Sequence, residues 1–129
     1  SVKCVVVTPE ATSIERDVDF VVVPLFDGEK GIAAGHSPMI GRLGYGELRL
    51  KSGGTTESFY VDGGFVQVET NVVSIMTGRL VPVADLDAAV AEEQLRSSLN
   101  RRAHSPELLE IRHRSIAQAR AQLRLARKS

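Results

Sequence analysis

All eleven glycines of this 129-residue chain lie before residue 79, and beyond Pro82 the only helix-breaking residue is Pro106. Glycine and proline punctuate strands and turns but are disfavoured inside helices. Their distribution therefore divides the chain into a turn-rich first part and a helical remainder. The composition changes abruptly at Pro82-Val83-Ala84-Asp85, and we place the boundary between residues 84 and 85. One modest core is all that a chain of this length and 43% apolar content can bury.

The first part reads as short strands. Val2 to Val7 is a β-branched run closed by Thr8-Pro9, and Val18 to Leu25 is a second. Leu43 to Lys51 alternates and stops at Ser52-Gly53-Gly54, and Phe59-Tyr60-Val61 meets Asp62-Gly63-Gly64, which reads as a tight turn. In Phe65 to Glu69 the period of two puts Val66 and Val68 on one face, and Asn71 turns the chain into Val72 to Met76. About eight strands at this spacing predict a β-sandwich or flattened barrel.

From Asp85 onward the pattern is helical. Asp85 or Asp87 can cap a helix running to about Arg102, with Ala84, Ala88, Ala91, Leu95 and Leu99 as its apolar stripe. Arg101 and Arg102 suit the negative end of its dipole. Ser105 then caps a second helix with Pro106 at its first position, along which Leu109, Ile116 and Leu123 repeat every seven residues. The short Ala103-His104-Ser105 link implies an antiparallel hairpin. An alanine stripe buries little area at roughly 25 cal/mol per Å2, so the hairpin is the weakly held part. The expected architecture is α+β, a sandwich over 1–84 followed by a two-helix hairpin over 85–129.

Charge follows the same division. Residues 1–84 carry ten acidic and seven basic side chains, a balance of −3, and residues 85–129 carry six and nine, a balance of +3. A neutral total without aromatics interleaved in the basic helix argues against a nucleic-acid binder. The longest apolar runs fall far short of the ~20 residues that span a bilayer, and no signal-peptide pattern is visible at the start. The single Cys4 reads as a small apolar strand residue.

Chemistry-bearing groups are sparse. His36, His104 and His113 are scattered, with no metal-ligand spacing. Asp85 and Asp87, two apart, do not face the same way on a helix. The Gly-Gly pairs lack the Lys-Ser/Thr of a phosphate loop. Neither catalysis nor a cofactor or metal is expected of this chain. The stretch Gly31-Ile32-Ala33-Ala34-Gly35-His36-Ser37-Pro38-Met39 instead reads as a shaped loop, setting a titratable His36 beside Pro38, Met39 and Ile40. Just before it, Asp27 to Gly31 reads as a hairpin turn with Glu29 and Lys30 at its tip.

Taken in order, Thr8-Pro9-Glu10, this glycine-histidine-proline segment, Val61-Asp62-Gly63-Gly64-Phe65-Val66-Gln67-Val68 and Asp85-Leu86-Asp87 before two helices resemble the epsilon subunits of F-type ATP synthases over nearly the whole chain. The resemblance implies a non-catalytic rotor subunit that couples ion translocation through the membrane ring to ATP synthesis. It implies contact with the gamma subunit and the membrane rotor ring through Glu29, His36, Ser37, Pro38, Met39 and Ile40. It further implies helices that reach the catalytic alpha/beta hexamer and brake ATP hydrolysis, with Arg112, Arg114, Arg120, Arg124, Arg127 and Lys128 as a basic face. A helix from Pro106 to Lys128 would be about 35 Å long. The implied location is the cytoplasmic face of a bacterial inner membrane, peripheral and held through partners, or its organellar equivalent. Some members bind ATP through Ile/Leu-Asp-x-x-Arg-Ala. Here the run is Leu86-Asp87-Ala88-Ala89-Val90-Ala91, so Asp87 remains but the arginine is Val90. The competing reading is a free-standing nucleotide-sensing module of sandwich and hairpin.

Overall fold

The computed structural model describes residues 1–128. Its backbone divides into two compact units, one of residues Ser1–Pro82 and a second from Val83 onward.

The first unit contains eight strands: β1 Val2–Thr8, β2 Ala11–Val18, β3 Phe20–Leu25, β4 Gly28–Ala33, β5 Met39–Ser52, β6 Thr55–Glu69, β7 Val72–Met76 and β8 Leu80–Pro82. Their hydrogen-bonded order is β2-β1-β7-β6-β5-β3-β4, with β8 on β6, and β1 runs parallel to β7. The path is open, ending at β2 and β4, so the sandwich is not a closed barrel. Two long strands belong to both layers. The beginning of β5 and the end of β6 pair with each other, and this end of β6 also pairs with β7. The end of β5 and the beginning of β6 pair with β3 and β8 respectively. Period-two alternation builds the interior: Val2, Cys4 and Val6 of β1 point inward with Val21, Val23, Leu48, Val61, Val66, Val73 and Ile75.

Several local expectations are corrected. Asp62-Gly63-Gly64 is no hairpin turn but lies inside the 15-residue β6, where the glycines let the strand bend between layers. Glu29 and Lys30 do not sit at a turn tip; they belong to β4, opposite Pro24 and Val23. The predicted loop shrinks to Ala34–Pro38, because Gly31-Ile32-Ala33 completes β4 and Met39 opens β5. Strand β2 was not expected at all. It is an edge strand whose buried residues are only Ile14 and Val18, so its polar face hid the period.

The second unit holds a short 3-10 turn at Val83–Asp85 and two helices, α1 Ala88–Asn100 and α2 Pro106–Lys128. Asp87 rather than Asp85 caps α1, its Oδ1 accepting the Ala89 and Val90 N–H groups at 2.9 and 3.3 Å. Ser105 caps α2 through Oγ, which accepts the Leu108 N–H at 3.1 Å. Helix α1 ends at Asn100, which leaves Arg101 and Arg102 outside it. Leu99 and Leu109, expected in the apolar stripes, are exposed, whereas Ile116 and Leu123 are buried. Between the helices Ser98 Oγ lies 2.6 Å from Ser115 Oγ, and Gln94 Nε2 donates to the Ser115 carbonyl oxygen at 3.2 Å. This contact is polar and small-residued where a leucine seam would be apolar.

Candidate functional site

The loop between β4 and β5 owes its shape to two glycines. A Cβ on Gly31 would lie 2.3 Å from the Phe20 ring, so β4 must be bare there for Phe20 to cover it. Gly35 has φ +85°, a left-handed turn residue. His36 follows, its N–H donating to the Ala33 carbonyl at 3.2 Å and its Nδ1–H to the Ser37 carbonyl at 2.7 Å. The imidazole is thereby oriented with Nδ1 as donor, which leaves Nε2 for an external partner. Ser37 and Pro38 are exposed, Met39 is half-buried, and Ile40 is 77% exposed.

Ile40 does not stand alone. On the outward face of the sheet it pairs across β5 and β6 with Gln67, which pairs with Ser74 of β7 and so with Val5 of β1. The next row in register is Arg42, Phe65, Met76 and Val7. Phe65 and Met76 are each 54% exposed. Arg42 closes the row, with its guanidinium 5.3 Å from the ring centroid of the exposed Phe26. A shallow groove of about 430 Å3 lined by Pro38, Met39, Ile40, Gln67, Val68 and Glu69 runs beside it. An apolar centre with a polar rim is the composition of a protein-docking surface. Phe65, Met76 and Val7 were not anticipated as site residues. The signal was available: if Val66 and Val68 point inward, Phe65 and Gln67 must point out.

Glu29 lies apart from this face. Its carboxylate accepts the Arg49 guanidinium at 2.8 and 3.3 Å, and Arg49 also donates to Glu47 at 3.0 Å. The hydrogen bond that Arg49 donates to Glu29, ahead of the one it donates to Glu47, raises the Arg49 pKa above its ordinary value. Glu29 is therefore exposed but held.

The six basic residues of α2 do not form one face. At 100° per residue they spread over an arc of about 200°. Arg112 donates to the Leu99 carbonyl at 3.1 Å, Arg114 lies 3.8 Å from Glu110, and Arg127 donates to Glu92 at 2.7 Å, while Arg120 and Arg124 are exposed. Asp87 is occupied as a helix cap. Among the described residues no group of three or more His, Cys, Asp or Glu side chains converges to hold a metal. No helix among them is long and apolar enough to cross a membrane.

Comparison with known proteins gives a consistent result. Residues 1–83 match the family model described as "ATP synthase, Delta/Epsilon chain, beta-sandwich domain". The chain is 49% identical to an ATP synthase epsilon chain of Rhodopirellula baltica over 127 residues, 98% of this chain and 99% of that one. It is 38% identical over 91 residues to an ATP synthase epsilon chain of Granulibacter bethesdensis, covering 70% of this chain and 67% of that one. The fold is shared with a chain of the Euglena gracilis mitochondrial ATP synthase OSCP/F1/c-ring assembly, with TM-score 0.83, 20% identity, and 93% and 78% of the two chains covered. It is shared also with a chain of the Tetrahymena thermophila mitochondrial ATP synthase central stalk and c-ring, with TM-score 0.77, 14% identity, and 97% and 96% covered.

Proposed function

The chain belongs to the delta/epsilon family of ATP synthase chains, and from that membership we propose that it is the epsilon-type subunit of a rotary ATP synthase central stalk. It catalyses nothing itself. It joins the gamma subunit to the membrane rotor ring, so that rotation driven by ion flow reaches the catalytic hexamer. The observation that carries this reading is 49% identity maintained across both units and almost all of the relative's length.

The docking surface is the outward sheet face centred on Ile40, Phe65 and Met76, together with the loop edge of His36, Ser37 and Pro38 and the neighbouring Met39. Three large apolar side chains, 54–77% exposed, have that remainder left to bury against a partner, each worth about 1–2 kcal/mol when covered. Glu29, oriented by Arg49, offers a fixed carboxylate to a polar loop of the ring. The two units take different roles: residues 1–84 dock, and residues 85–129 regulate. The polar Ser98–Ser115 contact supports the second role, since water can replace its hydrogen bond when the helices part, and exposed Arg120 and Arg124 suit an acidic target on the hexamer. The site of action is the membrane periphery, on the cytoplasmic face in a bacterium.

The test is reconstitution of the full chain with a gamma-containing ATPase depleted of this subunit. Wild type associates stoichiometrically. Ile40→Asp, which sets a charge in the apolar centre, weakens association by about tenfold to a hundredfold with an unchanged unfolding midpoint. Failure of the wild type to associate, or tight association of Ile40→Asp, refutes the assignment.

A further inference from the structure

The loop that carries His36 to Pro38 has little holding it in place locally. Its own contacts are the His36 N–H to Ala33 and the His36 Nδ1–H to Ser37, which span three residues and one. One bond reaches further. The Gly35 N–H donates to Asn71 Oδ1 at 2.7 Å, across 36 positions of sequence.

Asn71 is well fixed to receive it. Glu69 and Val72 pair across a two-residue turn, and Thr70 and Asn71 inside it have φ +48° and +61°. Two consecutive left-handed residues define the hairpin turn that matches strand twist, and asparagine is among the few side chains that tolerate it. The Asn71 carbonyl oxygen also accepts the Lys3 N–H at 2.8 Å, at the start of β1. One residue thus ties together the β6–β7 turn, the edge of β1 and the docking loop. The turn immediately follows Gln67, Val68 and Glu69, which line the groove beside Ile40.

We propose that Asn71 is a positioning residue of the docking surface. Its side-chain oxygen fixes the Gly35 amide and thereby sets the His36–Pro38 edge against the Ile40 face before a partner arrives. The inference rests on the docking role proposed above. A loop ordered in advance does not have to be ordered on binding, and that difference appears directly as affinity. Neither the turn nor the sheet needs the Asn71 side chain for this, since glycine satisfies the same dihedrals.

That separation gives the experiment. In the full chain, Asn71→Gly keeps the left-handed turn and deletes the acceptor, while Asn71→Asp keeps both an acceptor oxygen and tolerance of the turn. Two quantities are read: hydrogen exchange of the Gly35 amide in the free protein, and the dissociation constant for the gamma-containing complex depleted of this subunit. Asn71→Gly is expected to speed Gly35 exchange about tenfold, with core amides such as those of Val66 and Ile75 unchanged. It should weaken association by about threefold to tenfold, the range for one lost hydrogen bond. Asn71→Asp should restore both. Unchanged Gly35 exchange in Asn71→Gly, or faster exchange with unchanged affinity, overturns the role of Asn71 alone. Absence of binding by the wild type overturns the docking reading and this corollary with it.

Discussion

Gly64→Ala probes the bend that carries β6 from one layer of the sandwich to the other. A Cβ at position 64 would lie 1.8 Å from the carbonyl oxygen of Met76 and 2.9 Å from its carbonyl carbon, where φ is +107°. Gly53 supplies an internal control, since its φ of +57° is also left-handed but nothing lies within 4 Å of a Cβ built there. Gly53→Ala therefore meets only dihedral strain of about 1–2 kcal/mol, partly offset by a stiffer unfolded chain. Gly64→Ala meets comparable strain and a collision with backbone, which cannot rotate away. Relief requires β6 and β7 to part at the Phe65–Met76 pair. Forced displacement in a packed interior costs about 1–3 kcal/mol and a weakened ladder bond about 1 more. The total is about 3–6 kcal/mol. Urea unfolding checks it: with a slope of about 1–3 kcal/mol per M, the midpoint falls by at least about 1 M for Gly64→Ala and, at the same slope, by clearly less for Gly53→Ala. Equal shifts for the two variants would refute the argument that close approach, rather than dihedral freedom, requires Gly64.

Three further outcomes concern the Ser98–Ser115 pair and Cys4. Ser98→Ala or Ser115→Ala alone strands a partner of the 2.6 Å hydroxyl pair and should cost about 1 kcal/mol each, whereas the double variant should cost far less than their sum; helix melting followed by circular dichroism measures the cycle, and additive losses would refute it. Burial pushes the Cys4 thiol up to about 11 from 9.0, against a smaller opposing effect of Arg16, so alkylation at neutral pH should proceed only at the rate of opening. Because the folded value is the raised one, the neutral thiol's contribution to stability is complete below about pH 9. It is lost as pH rises from 9 toward 11, which thermal melts across that window would reveal.

What could be read from the sequence was set by how each element is stabilised. Strands rich in β-branched residues, such as β1 and β7, announce themselves by composition and by the turn residues that bound them. Helix α2 is equally plain, with Ser105, Pro106 and Glu107 placed as capping chemistry requires. Strand β2 is held by its ladder to β1 rather than by apolar side chains, and no local pattern records a ladder. The Asp62-Gly63-Gly64 run misled for a related reason. Positive φ serves a hairpin turn and a bend inside a long strand equally well, and only the register across Met76 distinguishes them. The loop segment was identifiable, but its extent was not, since Gly31 is there to make room for Phe20 of the neighbouring strand. Asn71 was recognised as a turn residue; its side chain's second task, at Gly35, depends on an approach that only the folded chain creates.

The contrast between the two interiors bears on which part should dock and which should move. The sandwich interior is mostly valine, isoleucine and leucine, with Cys4 and Phe59 among them, and is almost without exposure. Side chains projecting from such strands hold position because the strands do, so the docking face proposed at Ile40, Phe65 and Met76 needs no ordering on contact. His36, Ser37 and Pro38 lie in the loop outside the strands, which is where the tether proposed at Asn71 would act. The hairpin joins its helices partly through polar groups. Ser98, Ser115 and Gln94 make contacts that water can replace once the helices part, while Ala91, Ile116, Ala119 and Leu123 are buried as well. Opening costs a net of about 1 kcal/mol for each such hydrogen bond exchanged for water, and about 25 cal/mol for each Å2 of apolar surface exposed with it. Under the proposed roles, the sandwich keeps its interior while the hairpin exchanges these hydrogen bonds for others when its helices change partners.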